Sequence, residues 1–218
     1  RGRRALLILV VVLLVVVAAL PVIGVVTVRA SFPQTDGQLT VPGLSRPVTV
    51  LRDEWGVPQI YAATDDDLFF AQGYVHAQDR FFEMDFRRHV TAGRLAEMFG
   101  ASQVPTDRFL RTLGWRRVAR AELGILAPGT VRSLRAYSAG VNAWLAGHRG
   151  ADASLEYAIL GLQGDYTPDP WTPVDSVSWL KAMAWDLRTN VEDETDRALL
   201  AARLPADRLA ELYPPYPY

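Results

Sequence analysis

The most apolar part of the chain is its beginning, where residues 5–28 contain no charged side chain. A helix of this length rises about 36 Å, enough to cross a hydrocarbon core of about 30 Å. Three arginines precede the run and only Arg29 follows closely, which places the short N-terminus in the cytoplasm and the rest outside. We predict a signal anchor or transmembrane segment over residues 1–30. The alternative is a cleaved signal peptide, which leaves a secreted protein.

Two short β-prone runs follow the apolar segment, at residues 48–51 and 59–62. Both are rich in β-branched and aromatic side chains, which favour strands. The residues between them are typical of a turn, and Gly56 provides backbone freedom there. The pattern predicts two short strands joined by a loop.

A long helix is predicted to begin after Thr64, whose hydroxyl can cap it, with three aspartates in its first turn. Apolar residues then recur at three- and four-residue spacing, which indicates one broad buried face. Gly73 is placed to allow close packing on that face, and Glu83 and Arg87 have the spacing of a helical ion pair. The members of the predicted face are Phe70, Tyr74, Ala77, Phe81 and Phe82.

Further helices are predicted at residues 107–123, 128–148 and 173–189, with a short one at 207–213. The third has the clearest start, because Thr172 can cap it and Pro173 suits its first position. Asp175 also places a carboxylate near the exposed amides of the first turn.

Composition excludes several classes of protein. Of 218 residues, 50% are hydrophobic and 22% are charged, which supports a folded domain rather than a disordered chain. The formal net charge is −1, so no excess of basic residues is present to bind nucleic acid. The absence of cysteine rules out disulfides, thiolate metal sites and a cysteine nucleophile within this sequence.

Few side chains show a pattern typical of catalysis. His76 and Asp79 are three residues apart on the predicted helix, but no third residue completes a metal site, and we interpret them as structural hydrogen-bonding groups. The serines match no nucleophile-elbow pattern, so a self-contained Ser-His-Asp enzyme is not indicated. The acidic residues 192–194 with Asp196 are the best candidates for binding a hard cation such as Ca²⁺, and a solvated helix end is the alternative.

Several linked motifs occur in order within residues 48–100, namely Arg52-Asp53, Gly56-Val57-Pro58, Ile60-Tyr61-Ala62, Gly73-Tyr74-Val75, Ala77-Gln78-Asp79-Arg80 and Arg87-Arg88. A weaker continuation to about residue 200 includes Gly140-Val141-Asn142-Ala143 and Pro170-Trp171-Thr172-Pro173. In this order and spacing, rather than by any single match, the motifs resemble the start of the penicillin acylase α-chain.

This resemblance implies an α+β fold, in which the chain is the mostly helical α-chain portion of an αββα N-terminal nucleophile hydrolase sandwich. Residues 31–218 then form an incomplete α-chain-like domain whose partner is the β-chain of the same precursor. Enzymes of this family cut their own precursor and expose a serine at the start of the β-chain. That serine attacks acyl amides, so we expect no catalytic residue in the present sequence and no hydrolysis by this part alone.

The resemblance also implies specific site residues. Met183 and Leu187 correspond to the wall of the acyl-binding pocket, and core packing is the alternative role for their helix. Glu194 corresponds to an α-chain ligand of a structural Ca²⁺. Asp186 stands where an arginine is expected, and Leu187 replaces an aromatic residue. The substrates implied are therefore β-lactam antibiotics, acyl-homoserine lactones or lipopeptides, with an aliphatic acyl chain suited to Leu187.

A different class of function fits the same residues. The chain can also be a catalytically inactive, membrane-tethered helical binding domain that descends from the acylases. The two hypotheses differ in one requirement, since an acylase needs a downstream nucleophile that becomes a new N-terminus and a binding domain does not.

Overall fold

The computed structural model describes residues 2–161, 167–187 and 190–214, without the side chains of residues 4–7, 30 and 151. The chain divides into two compact units, Arg1–Trp179 (the N-terminal unit) and Leu180–Tyr218 (the C-terminal unit). The strands are β1 (Thr49–Arg52) and β2 (Pro58–Tyr61), and short 3₁₀ helices cover Ala101–Gln103 and Gly150–Asp152. The α-helices are α1 (Gly2–Ala30), α2 (Asp65–Ala92), α3 (Leu95–Phe99), α4 (Val104–Leu113), α5 (Trp115–Glu122), α6 (Pro128–Leu145), α7 (Leu155–Leu160), α8 (Pro173–Asp186), α9 (Asn190–Ala201) and α10 (Ala206–Leu212).

Helix α1 confirms the predicted N-terminal apolar helix. Its stretch Ile8–Arg29 is long and apolar enough to cross a membrane, and none of it is buried against the rest of the protein. Such a helix is consistent with a membrane anchor and with a signal peptide alike.

The predicted pair of strands is confirmed as an antiparallel hairpin, in which Val50 faces Ile60 and Arg52 faces Pro58. Gly56 takes a left-handed conformation with φ of 77° in the turn, as its position predicts. The Arg52 guanidinium donates to both carboxylate oxygens of Asp79, at 2.9 and 2.8 Å, and so joins the hairpin to α2.

Helix α2 begins as predicted, because the Thr64 hydroxyl accepts from the Asp67 backbone N–H at 3.1 Å. It ends at Gly93, which adopts the left-handed conformation with φ of 61°. Between these caps, Arg80 has non-helical angles (φ −146°, ψ 26°), so the helix is kinked there. On the predicted apolar face, Tyr74 and Phe82 are only partly buried.

The crossing of α2 and α6 is the centre of the N-terminal unit. A Cβ atom on Gly73 would lie 2.1 Å from the backbone oxygen of Tyr137, and one on Gly140 would lie 1.8 Å from that of Phe70. Both positions therefore require glycine, which confirms the close packing predicted at Gly73. The buried cluster that surrounds the crossing consists of Ala77, Phe81, Met98, Val141, Trp144, Ala153, Tyr157, Leu160 and Trp171.

Three predicted helices differ from those observed, and one of them, predicted at 128–148, ends at Leu145. The helix predicted at 107–123 is two helices, α4 and α5, because Gly114 between them adopts a left-handed conformation with φ of 70°. The helix predicted at 173–189 ends at Asp186, and Thr189 lies outside the described residues.

Candidate functional site

The candidate site is carried by α8 and α9, and the start of α8 is held firmly. The buried Asp175 carboxylate accepts from the Thr172 N–H at 2.8 Å and from its hydroxyl at 2.6 Å. Arg116 from α5 forms an ion pair with the same carboxylate. The residues that predicted the start of this helix therefore also fix it to a neighbouring helix.

A second contact holds the residues that precede α8. The Asn142 side chain of α6 donates to the backbone oxygen of Trp171 at 2.9 Å and accepts from its N–H at 2.7 Å. The Trp171 indole in turn donates to the Ser176 hydroxyl at 3.0 Å. Arg87 of α2 lies over the Trp179 ring, 4.4 Å from its centroid. The first half of α8 is thus joined to both helices of the central crossing.

Met183 and Leu187 lie one turn apart in the C-terminal unit, where the Leu187 N–H donates to the Met183 carbonyl at 3.0 Å. Met183 is half-buried, whereas Leu187 is 73% exposed. An exposed leucine of this kind is available to a ligand or to another chain. Among the described residues, Leu187 is therefore not packed into the core, which was the alternative role for this helix.

Glu194 lies in α9, among the acidic residues Glu192 and Asp193 of its first turn. Its side chain is exposed and lies 3.8 Å from Arg197. The described residues contain no cluster of three or more histidine or acidic side chains that could hold a metal. Because Ca²⁺ takes six to eight oxygen ligands, Glu194 can contribute one carboxylate but needs further ligands from elsewhere.

His76 and Asp79 are not paired with each other through a hydrogen bond. His76 Nδ1 lies 3.0 Å from the Tyr137 hydroxyl, while Asp79 binds Arg52. Burial lowers the pKa of His76, and nearby Asp79 partly opposes this. Burial also raises the pKa of Tyr137 to about 12. Both residues therefore have structural partners, but each binds a residue outside the pair, which the sequence did not predict.

A groove opens beside the His76–Tyr137 pair, between α2 and α6, with a volume of about 500 Å³. Its walls include Phe69 and Leu134 together with the hydroxyls of Thr130 and Ser133. The Ser133 hydroxyl donates to the Gly129 carbonyl in its own helix, at 3.2 Å, which is not the arrangement of an activated nucleophile.

Helix α2 carries a buried ionic network, and the sequence did not indicate that these charges would be buried. Asp85 is fully buried, pairs with Arg88, and accepts from the Tyr157 hydroxyl at 2.7 Å. Arg88 also donates to the Asp169 carbonyl at 2.7 Å, in the segment before α8. The sequence indicated charges that pair along α2, but the three- and four-residue spacings alone do not distinguish a buried pair from an exposed one.

Known proteins resemble this chain in sequence. The family model described as "Penicillin amidase" matches residues 47–217. Penicillin acylase 2 proenzyme of Pseudomonas sp. (strain SE83) is 42% identical over 156 residues, which are 72% of this chain and 19% of the relative. The acyl-homoserine lactone acylase QuiP of Pseudomonas aeruginosa is 36% identical over 187 residues, or 86% of this chain and 22% of the relative. The chain thus spans about a fifth of the length of these curated relatives.

A solved structure agrees with the sequence comparison. The thermostable penicillin G acylase from Alcaligenes faecalis is matched with a TM-score of 0.54 and 27% identity, over 77% of this chain and 89% of the matched chain. The mostly helical architecture described above therefore resembles a chain of a known acylase. Together, the family match over residues 47–217 and the agreement in fold show that the chain belongs to the penicillin amidase family.

Proposed function

We propose that this chain is the N-terminal, α-chain part of the precursor of an acylase that hydrolyses amides. The observation that carries the proposal is a difference in coverage. The chain matches only about a fifth of its full-length relatives, but it matches 89% of a single chain in the solved acylase. That relation is expected if residues 31–218 are the smaller of two chains that a precursor yields, and one relative is itself named a proenzyme.

In the proposed enzyme, the β-chain carries the reacting groups and the present chain helps to form the pocket. The β-chain serine hydroxyl attacks the amide carbonyl, with its own α-amine acting through water as the base, and β-chain donors stabilise the oxyanion. The amine leaves with a proton, an ester to the serine remains, and water hydrolyses it to the acid. The present chain contributes pocket wall and helical layer to an αββα sandwich.

The exposed apolar side chains of the C-terminal unit support the proposal that a partner chain covers it. Leu180, Leu187, Val191 and Leu199 are all more than half exposed, and neither α9 nor α10 contains a buried residue. Apolar side chains exposed in this number are typical of an interaction surface. The β-chain is the occupant that the proposed precursor supplies.

Met183 and Leu187 are proposed to line the acyl pocket. A leucine in place of an aromatic residue favours an aliphatic acyl chain, because a branched aliphatic wall packs against methylene groups without requiring an aromatic ring. The proposed substrate class is therefore an acyl amide such as an acyl-homoserine lactone or a lipopeptide, with β-lactam antibiotics as the other class to test.

Glu194 is proposed as one ligand of a structural Ca²⁺, with the remaining oxygens supplied by the β-chain. The exposed carboxylate suits a hard cation, and the ion would add binding free energy to the assembled protein. We expect Ca²⁺ to raise the melting temperature of the mature enzyme and Glu194→Gln to abolish that rise. Glu192→Gln, in the same acidic turn, is the matched control and should retain it. An equal response to Ca²⁺ in both variants would contradict the assignment.

Helix α1 is proposed to anchor the protein in the membrane, with residues 31–218 outside the cytoplasm. If the segment is instead removed as a signal peptide, the enzyme is secreted, and mass analysis of the mature protein distinguishes the two.

The experiment that tests the function compares two proteins on one panel of acyl amides, containing phenylacetyl and aliphatic acyl groups. We expect the full-length precursor to release free acid after maturation, and a protein of residues 31–218 to release none. Hydrolysis by residues 31–218 alone would contradict the proposed division of labour. A full-length protein that binds these amides without cleaving them would instead indicate the binding-domain function.

A further inference from the structure

The segment between α1 and the hairpin is docked along α2 rather than free. Near its start, the Gln34 backbone oxygen accepts from the Gln78 side chain at 2.7 Å. Near its end, the Ser45 N–H and hydroxyl each donate to the buried Asp67 carboxylate at 2.7 Å. Residues 34–45, which we name the strap, are therefore held at both ends on one helix.

The middle of the strap also touches α2. A Cβ atom on Gly43 would lie 2.7 Å from the Phe70 ring, so the strap backbone packs directly on that ring. Gly43 has φ of 113°, a conformation that favours glycine. The strap thus follows α2 backwards, from Gln78 through Phe70 to Asp67.

Only a short piece of chain separates the strap from the apolar span. The span ends at Arg29, and the Ser31 and Phe32 N–H groups donate to the carbonyls of Val28 and Arg29, which continues the helical path. From Arg29 to the first docked residue, Gln34, five residues reach at most about 17 Å when fully extended. The Gln78 amide nitrogen lies 2.7 Å beyond the Gln34 carbonyl oxygen, so it stays within about 22 Å of the end of the span.

We propose that the strap holds the folded domain close to the extracytoplasmic surface of the membrane, with the middle of α2 near the lipid headgroups. This inference rests on the proposed role of α1 as an uncleaved anchor. A tether as long as residues 30–48 would let an undocked domain move tens of ångströms from the bilayer, whereas the docked strap leaves only residues 30–33 to span that distance. The partner is a lipid surface, and the strap is the element that fixes the distance to it.

The test measures the distance between the domain and the membrane in the full-length protein, reconstituted in phosphatidylcholine vesicles with acceptor-labelled headgroups. The donor is attached to a cysteine that replaces the exposed Glu83, about 8 Å along α2 from Gln78. The present sequence contains no cysteine, so other reactive cysteines need removal only from the rest of the precursor. We expect energy transfer that corresponds to less than about 30 Å in the parent protein.

Three variants decide whether the strap sets this distance. A ten-residue Gly-Ser insertion after Phe32 leaves the fold untouched and adds about 18 Å of average reach, so transfer should fall. Ser45→Pro combined with Gln78→Ala removes the donors at both ends of the strap and should also lower transfer. The same insertion beside the exposed Ile125, in the connection between α5 and α6, is the control and should leave transfer unchanged.

Three results would overturn the proposal. Either the parent protein gives transfer as low as that of the Phe32 insertion, or the strap variant keeps the transfer of the parent. Recovery of the labelled domain in the soluble fraction would overturn it as well, because α1 would then have been cleaved. Acylase activity is measured on the same samples. If the domain is active but moves freely or is soluble, the proposed function stands and the proposed role of the strap fails. If the domain is held close to the membrane but is inactive, the role of the strap stands and the proposed function fails.

Discussion

The two units of this chain differ in what their apolar side chains touch. In the N-terminal unit, Phe81 and Val141 are buried at the crossing of α2 and α6, and buried acids such as Asp85 have charged or hydroxyl partners. In the C-terminal unit, Leu187 and Leu199 are exposed, and α9 and α10 bury no residue.

The proposed partner chain accounts for this difference. A region that buries its apolar side chains and pairs its buried charges has the interactions needed to fold by itself. A region that exposes most of its large apolar side chains presents a surface of the kind that partner chains cover. The residues proposed for acyl and calcium binding all lie in the second region, so the site is expected to be complete only in the assembled enzyme.

The largest expected effect comes from filling the crossing of α2 and α6. Gly140→Leu forces a side chain into the Phe70 carbonyl, and we expect the precursor to lose more than about 5 kcal/mol of stability and not to accumulate in folded form. Gly129→Leu, near the start of the same helix, meets no atom within 4 Å and should be tolerated. Soluble yield and circular dichroism check both, and equal yields would contradict the account of the crossing.

The next effect concerns the buried ionic network. Asp85→Ala leaves the Arg88 guanidinium buried without its carboxylate, and should cost about 3–5 kcal/mol in denaturant unfolding. Glu83→Ala, on the same helix, removes an exposed pair with Arg87 and should cost less than about 0.5 kcal/mol. The account of this network fails if the two variants unfold at similar denaturant concentrations.

A pH-dependent effect is expected at Asp67. Its hydrogen bonds from the side chain and the backbone of Ser45 lower its pKa in the folded protein. Because the folded pKa lies below the unfolded value of about 3.9, the stabilisation is fully present above about pH 4 and is lost as pH falls through the folded pKa. Asp67→Asn should therefore lower the melting temperature at pH 7, by a difference that shrinks towards pH 2. Asp66→Asn, at the exposed neighbouring position, is the matched control and should lower the melting temperature less at pH 7.

The smallest effect on stability, but a clear one on activity, is expected at Leu187. Leu187→Phe should change the unfolding free energy by less than about 0.5 kcal/mol because the side chain is exposed. If Leu187 lines the acyl pocket, the ratio of kcat/KM for phenylacetyl over aliphatic acyl amides should rise about tenfold. Leu199→Phe, at another exposed leucine of the C-terminal unit, is the matched control. An unchanged ratio in the Leu187 variant would remove this residue from the pocket.

Local features of the fold were predictable from the sequence because their causes are local. Thr64 followed by three aspartates specifies a helix start, and Gly56 between β-prone runs specifies a turn. Gly114 shows where this reasoning stops. An isolated glycine inside an apolar helical pattern is often tolerated, and only its left-handed conformation in the folded protein separates α4 from α5.

Features that depend on tertiary contacts were not predictable in the same way. The kink at Arg80 and the docking of Gln34 on Gln78 involve residues whose local sequence does not indicate either one. For the proposed site, Met183, Leu187 and Glu194 were predicted only through the family resemblance. No local pattern predicts a pocket or a metal site when the other residues proposed for it belong to another chain.

The measurement that tests the central proposal most directly is intact mass analysis with N-terminal sequencing of the full-length gene product. The account predicts two tightly associated chains, the smaller of which contains residues 31–218 in large part, and the larger of which begins with serine. A single uncleaved chain without such a nucleophile would contradict it and would leave a membrane-tethered binding domain as the function.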